Sequence, residues 1–166
     1  MGYLMSTIKS IKIILMLATS LSANAQVSQR APTAPQDQPM VITDSIYFRD
    51  LFTFIQPLIR RARTTYPTVK EMYLQGLPAG NVFFVTTGLH DSLNHYEQVF
   101  VEVKSISNGV IHGIIASEIG AVIGYKLGDE YSLPETIILD WTISKPDGSE
   151  QGNLIGKFFD KIQQRQ

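Results

Sequence analysis

The sequence predicts an α+β fold, with two N-terminal helices packed on a curved antiparallel sheet of about five strands. Two observations indicate this class. Apolar residues recur at helical spacing between Leu51 and Leu77, and after Gly80 the spacing changes to two residues, as in strands. Because the helical segments come first and the strand segments follow as one run, the order favours α+β over an alternating α/β chain.

Three segments of different composition divide the 166 residues. Residues 1–25 have a basic start, an apolar run from Ile13 to Leu17 and a final Ala-Asn-Ala, a pattern typical of a cleaved signal peptide. Residues 26–40 are polar and contain three prolines, and we expect a disordered tether there. Residues 41–166 are predicted to form a single α+β domain.

Composition excludes several classes of protein. The net charge of −1 lacks the basic surplus of a nucleic-acid-binding protein. The sequence contains no cysteine, so disulfides, thiolate nucleophiles and cysteine-ligated zinc sites are excluded. The apolar run of the leader is too short for a bilayer core of about 30 Å, so we expect no transmembrane segment after signal cleavage and a periplasmic or secreted protein.

Two helices are predicted before the sheet. Pro57 interrupts the first apolar stripe and removes a helical hydrogen bond, so this helix is either kinked there or begins near Ile55. Thr64-Thr65 then offers a cap, Pro67 suits a first turn, and a second stripe ends at Gly76. The stripes consist of Leu51, Phe54, Ile55, Leu58, Ile59 and Ala62, and of Val69, Met72, Tyr73 and Leu77.

Five later segments carry the branched and aromatic residues of strands. Asn108-Gly109 predicts a type I′ hairpin, because both central positions need a positive φ, and Pro146-Asp147-Gly148 predicts another turn. For residues 153–163 a strand that passes into a helical end is favoured over a helix. The strands are predicted in NVFFVTTG (81–88), EQVFVEVKS (97–105), VIHGIIA (110–116), DEYSL (129–133) and TIILDWTIS (136–144).

The only tryptophan of the chain directly follows an aspartate, and strand alternation separates their side chains. The odd-numbered residues from Ile137 to Ile143 share a face with Trp141, and Asp140 lies on the other face. Trp141 is predicted to be buried against the helices, with its indole N–H donating to a carbonyl. Asp140 is predicted to face water.

Four residues are candidates for binding. Asp129 lies in a Gly-Asp step that also suits a turn, and it forms with Asp140 the pair of acids that a carboxylate site requires. Arg63 belongs to the cationic cluster RRAR at 60–63, which is either an anion site or a solvated helix face. Phe100 lies on the polar face of its strand, where an exposed aromatic side chain provides a contact surface.

No catalytic residue, metal site or cofactor is predicted. The histidines at 90, 95 and 112 lack the spacing of a metal-binding motif, and the acidic residues lack the ligand spacing of a calcium loop. The segment GLPAG (76–80) lacks the lysine of a phosphate-binding loop.

The order of several short motifs resembles the YegJ-like family of bacterial domains of unknown function. The family has an Ala-Arg-x-Thr helix end, a Gly-Asp step, an Asp-Trp pair and a glycine-rich last strand, which correspond to Ala62–Thr65, Gly128-Asp129, Asp140-Trp141 and Gly156. A family tryptophan is replaced by Phe100. The resemblance implies one small α+β domain without an established activity. It spans Leu58 to Phe159 and is carried by RRARTTYP (60–67), VFFV (82–85), EQVFVEV (97–103), LGDEY (127–131), ILDW (138–141) and LIGKFF (154–159).

Two functions follow from these observations. The first is a non-enzymatic binding or interaction module of the cell envelope, which binds an unidentified envelope protein or a small ligand. The alternative is a hydrolase that uses Asp129 and Asp140, and it requires both carboxylates in one pocket. A structural envelope factor without a defined ligand is also open. The sequence determines neither enzymatic activity nor oligomeric state.

Overall fold

A computed structural model describes residues 45–163, which form one antiparallel sheet with a helix before it and a helix after it. The leader and the tether predicted for residues 1–25 and 26–40 lie outside the described residues. The α+β class is confirmed. Two details are wrong, because the helices do not both precede the sheet and the strands number six rather than about five.

Helix α1 (Ser45–Gln75) replaces the two predicted N-terminal helices and contains both Pro57 and Pro67. Its buried side chains form one row at helical spacing that continues past Pro67: Ile55, Ile59, Ala62, Tyr66 and Val69. Burial of this row against the sheet offsets the hydrogen bond that each proline removes, so tertiary packing overrides the local signal for a break. No helix within residues 45–163 is long and apolar enough to cross a membrane.

Thr64 and Thr65 do not cap a second helix. The hydroxyl of Thr64 donates to the carbonyl of Arg60 at 2.9 Å, and that of Thr65 donates to the carbonyl of Ala62 at 3.0 Å. These bonds run back along α1, which is how threonine is accommodated inside a helix.

Six strands form the sheet in the order β4-β3-β2-β1-β5-β6, and all neighbours are antiparallel. The predicted hairpin at Asn108-Gly109 is confirmed, with φ values of 51° and 76°. The strands are β1 (Val82–His90), β2 (Tyr96–Ser107), β3 (Val110–Ile115), β4 (Glu130–Pro134), β5 (Asp140–Ser144) and β6 (Glu150–Gly152).

The face of the sheet that packs on α1, here called the helix face, holds the main hydrophobic core. Phe83 contacts the rings of Tyr66 and Tyr73 of α1, with centroids 6.5 and 5.3 Å apart. Trp141 of β5 is 6% exposed, and its indole N–H donates to the carbonyl of Ala62 at 3.2 Å and to the hydroxyl of Thr65 at 2.9 Å. The predicted burial of the tryptophan is therefore confirmed. The opposite side of the sheet is called the far face.

The predicted fifth strand begins later than its sequence pattern indicates. Residues Glu135–Ile137 form a 3-10 turn after β4, so Ile137 is 43% exposed and Ile138 is buried. The segment after the last turn is also corrected. A short β6 ends at Gly152, and Leu154–Gln163 is helix α2 rather than a strand. Ile155 of α2 packs against Ile55 and Ile59 of α1.

Candidate functional site

The connection between β3 and β4, residues 116–129, is the longest among the described helices and strands. The carboxylate of Glu97, a fully buried residue of β2, holds it. This carboxylate accepts hydrogen bonds from the backbone N–H groups of Gly120, Ala121 and Val122, at 2.8, 2.9 and 3.2 Å. Consecutive N–H groups that point to one place form an anion-binding concavity, and here an internal carboxylate occupies it. These charge-assisted bonds offset the desolvation of a buried acid.

A second carboxylate, that of Asp91, binds the next N–H group of the same loop, that of Ile123. It follows β1 and accepts the N–H groups of Leu93, His95 and Ile123 at 2.9, 3.0 and 3.0 Å. Nδ1 of His95 lies 2.8 Å from its Oδ2 atom. Partial burial acts to raise the pKa of the Asp91 carboxyl, but the N–H of Ile123 and the contacts with His95 and Leu93 outweigh it, so the pKa lies well below its ordinary value.

Asp91 and Glu97, here called the carboxylate brace, thus bind four consecutive N–H groups of the β3–β4 loop, those of residues 120–123. Val122 enters the main core and is 4% exposed, whereas the next side chain, Ile123, is 64% exposed. The brace fixes the loop in a conformation that points one aliphatic side chain inward and the next outward.

The N–H groups of Leu93 and Ile123 bind the two oxygens of one carboxylate, that of Asp91. Leu93 is 61% exposed. Asp91 therefore ties the β1–β2 loop to the β3–β4 loop.

The carboxylate brace is not among the sites predicted from the sequence, although the pattern contains a signal for Glu97. Glu97 shares the alternation of Val99, Val101 and Val103, which places an acid on the apolar face of a predicted strand. A charged side chain in such a position must find partners. The N–H groups that serve as partners follow more than twenty positions later, and no local pattern links them to β2.

Asp140 does not face water, and that prediction is wrong, since the residue is fully buried. Its Oδ1 atom accepts the N–H of Trp141 and its Oδ2 atom accepts the N–H of Ile155, both at 2.8 Å. Alternation correctly puts its side chain on the face opposite Trp141, but α2 begins against that side of β5. The carboxyl group binds the N-terminal turn of this helix, where free N–H groups favour an acid.

Burial raises the pKa of Asp140 to about 6, although the N–H groups of Ile155, Trp141 and Leu154 and the nearby charge of Lys157 oppose the rise. A carboxyl group with such a pKa also suits general acid–base catalysis. Because both oxygens accept backbone N–H groups and the residue has no exposed surface, Asp140 functions as a structural acid in this position.

Asp129 lies in a turn at the end of the β3–β4 loop. Its Oδ2 atom accepts the N–H of Lys126 at 3.0 Å, and its carbonyl accepts the N–H of Ile115 at 2.9 Å. Asp129 therefore lies beside β3, whereas Asp140 is in β5, and β2 and β1 run between them. Three strand spacings of about 4.8 Å separate β3 from β5, so the two acids are roughly 15 Å or more apart and share no pocket.

Arg63 and Phe100 each have contacts of their own. The Nε atom of Arg63 donates to the carbonyl of Ile138 at 2.8 Å and ties α1 to the start of β5. Phe100 is half-buried on the far face, where its ring packs edge-on against Phe84 with centroids 6.5 Å apart. Its expected exposure is therefore only partial. Asp129 is thus separated from Asp140, whereas Arg63 bonds the chain two residues before Asp140 and Phe100 lies two strands from Asp140 on the far face.

Among residues 45–163, no group of three or more histidine or acidic side chains is arranged to hold a metal ion. Comparison with protein-family models, with curated proteins and with solved structures finds no match to this chain. The assignment of function therefore depends on the residues and their geometry.

Proposed function

We propose that this chain is a non-enzymatic binding module of the cell envelope. The observation that supports it is the structural use of three acids, two of which are fully buried. Asp140, Glu97 and Asp91 direct their carboxyl oxygens to backbone N–H groups, and in doing so they position a helix and a loop. A hydrolytic acid needs a free oxygen that reaches a substrate, whereas a recognition surface needs loops in a fixed conformation.

The envelope location in this proposal rests on the leader pattern of residues 1–25, and the YegJ-like assignment likewise stays a prediction. The hydrolase built on Asp129 and Asp140 is not proposed. Its two carboxylates lie on strands or loops separated by the centre of the sheet, and Asp140 is enclosed.

A capture experiment followed by reconstitution tests the proposal. The full chain, expressed in its own host with an affinity tag, is used to isolate envelope proteins, and each captured protein is purified and titrated against the purified chain. We expect saturable binding by at least one protein, and we expect the variant Asp129→Asn, which changes a half-buried turn residue, to bind it with unchanged affinity.

The opposite result is equally measurable. Hydrolysis of ester, peptide or glycoside substrates by the purified chain, abolished in Asp129→Asn, would show that the chain is an enzyme. Failure of every purified candidate to bind would contradict the binding module.

A further inference from the structure

The far face of the sheet is buried along one row of cross-strand neighbours. Phe84 of β1 lies between Thr142 of β5 and Glu102 of β2 in the strand register. Phe84 and Thr142 are 0% exposed, and Glu102 is 5% exposed. Farther along the same row, Ile114 of β3 is half-buried and Glu130 of β4 is exposed. The burial thus extends over β5, β1 and β2 and ends toward the β4 edge.

The packing of the two helices does not account for this burial. Helix α1 packs on the helix face, on the other side of the sheet. Helix α2 begins beside Asp140, and its Ile155 packs with Leu139, which precedes β5, and with α1. Both contacts lie at the start of β5, whereas Phe84 lies farther inside the sheet. A phenylalanine ring without exposed surface needs atoms packed above it, and within the described part of the chain neither helix supplies them.

The length of chain outside the described residues indicates which part can supply the cover. The exposure of Phe84 is that of a single chain, so the covering atoms belong to the same molecule. Residues 164–166 span at most about 10 Å, whereas α2 extends about 15 Å from its start beside Asp140, so they do not return to the sheet. Residues 26–44, which follow the predicted leader, span up to about 60 Å when extended and reach any part of the far face.

The composition of residues 26–44, QVSQRAPTAPQDQPMVITD, suits this surface. The segment contains three prolines and the apolar run MVI at 40–42. Extended proline-rich chains pack on aromatic surfaces, and the rings of Phe84 and Phe100 lie edge-on with centroids 6.5 Å apart. Among the described residues, the buried hydroxyl of Thr142 has no hydrogen-bond partner, which indicates an apolar cover at that point.

We propose that residues 26–44 form a strap that crosses the far face of the same molecule over Phe84 and Phe100. The strap supplies the second layer that the buried row requires, so residues 26–40 belong to the folded unit and are not a free tether. The aromatic part of the far face is thereby closed to other molecules. This inference does not depend on the proposed binding function.

Intramolecular photo-crosslinking of the purified full chain tests the inference. A photoreactive phenylalanine analogue replaces the half-buried Phe100, and the control replaces Leu74 of α1, which is 58% exposed. After irradiation, the adduct is digested and mapped by mass spectrometry. We expect a product with the mass of one chain in which position 100 is joined to a residue of 26–44, and no such product from position 74.

Thiol labelling measures the cover in solution, because the chain contains no cysteine of its own. Phe100→Cys is alkylated with a maleimide in the otherwise wild-type chain and in a chain that also carries Met40→Asp, Val41→Asp and Ile42→Asp. We expect alkylation to accelerate about tenfold or more in the second chain, because the charged strap no longer protects the thiol. Leu74→Cys, the matched control, should react at the same rate in both backgrounds.

Every other result overturns the strap. An adduct between two chains would show that a second copy covers the far face. An adduct from position 100 to residues 45–163 alone, the absence of any adduct, or equal alkylation of Phe100→Cys in both backgrounds would show that residues 26–44 do not lie there. The photo-crosslink uses the unaltered segment, so it decides the question even if the three aspartates unfold the domain. The binding function is tested separately by the capture experiment.

Discussion

Asp140, Glu97 and Asp91 are acids of the same chemistry whose partners differ. The two oxygens of Asp140 accept the N–H groups of Trp141 and Ile155, but burial dominates, so the pKa of Asp140 rises. Asp91 has contacts from three N–H groups and an imidazole, and these dominate, so its pKa falls. Both carboxyl groups have several N–H donors, so the complete burial of Asp140, which Asp91 does not share, accounts for the opposite directions of the two pKa shifts.

The raised pKa of Asp140 predicts a pH-dependent stability. The folded chain binds this proton more tightly than the unfolded chain, whose aspartate titrates at 3.8, so the stabilisation is complete below 3.8 and is lost as the pH rises through about 6. From pH 7.5 to pH 5, the free energy of unfolding of the wild type should rise by about 1–1.5 kcal/mol relative to Asp140→Asn. Urea unfolding of both proteins at several pH values measures the difference.

Asp147 provides a control with the opposite sign. The hydroxyl and N–H of Ser149 lower the pKa of the Asp147 carboxyl in the folded chain. The ionised carboxylate therefore stabilises the fold at a pH above the pKa that Asp147 has in the unfolded chain, and this stabilisation is lost as the pH falls through the lower pKa of the folded chain. From pH 7.5 to pH 5, the free energy of unfolding of the wild type should not rise relative to that of Asp147→Asn. If the difference in the free energy of unfolding between the wild type and Asp140→Asn is also independent of pH, burial does not raise the pKa of Asp140.

At the scale of elements, the β3–β4 loop shows how a segment without regular structure is kept ordered. Its backbone N–H groups at 120–123 bind side chains of the brace in place of a helix or a strand ladder. Such a loop depends on a few side chains, and Glu97 alone accepts three of the four hydrogen bonds.

Glu97→Gln should loosen this loop. Glutamine keeps the size of the side chain, but its amide nitrogen is a donor and faces donors, so at least one buried N–H group loses its partner at a cost of about 1–3 kcal/mol. Amide hydrogen exchange at residues 120–122 should accelerate by an order of magnitude or more. Glu118→Gln, an exposed glutamate of the same loop, is the matched control and should leave these rates unchanged. Equal rates in both variants would exclude the brace as the element that orders the loop.

At the scale of the whole molecule, the contacts between α1 and the β4–β5 region hold the layers together. Lys70 of α1 binds Glu135 at 2.7 Å, and Arg63 binds the carbonyl of Ile138 at 2.8 Å. Trp141 adds its ring to the core and its N–H to Ala62 and Thr65 of α1. Helix, turn and strand are thus connected at points that lie more than sixty residues apart in the sequence.

Truncation of Trp141 should therefore destabilise the whole fold. Trp141→Ala removes a large buried ring and its hydrogen bonds, and a loss of about 3–5 kcal/mol is expected. Chemical denaturation followed by circular dichroism measures it. Phe54→Ala, which removes an aromatic ring that is 69% exposed, should change the stability by less than about 0.5 kcal/mol. Similar losses in the two variants would contradict the assignment of Trp141 to the core.

Much of the strand arrangement was predictable from particular residues. The alternation of Val99, Val101 and Val103 and the Asn108-Gly109 turn identified β2, β3 and their hairpin, because both signals act within a few residues. Pro57 and Pro67 predicted interruptions that α1 does not have, because packing against the sheet stabilises the continuous helix. The prediction of a strand in LIGKFF is wrong, because a short apolar run of this kind occurs both in buried strands and in buried helices.

The candidate site was less predictable than the fold. Asp129 and Asp140 are eleven positions apart in the sequence, yet the strand order β4-β3-β2-β1-β5 separates them across the sheet. Asp91 and Ile123 are thirty-two positions apart and share a hydrogen bond. Sequence spacing reports proximity within one helix or hairpin, and it does not report which strands become neighbours.

The sequence by itself determined the α+β class, most strands, the hairpin turns and the inward direction of Trp141, because periodicity and turn chemistry depend on neighbouring residues. Tertiary structure decided the continuity of α1, the burial of Asp140 under α2 and the pairing of the brace with the β3–β4 loop. These features depend on desolvation and on hydrogen-bond partners supplied by distant parts of the chain. Such partners come together only when the sheet has formed.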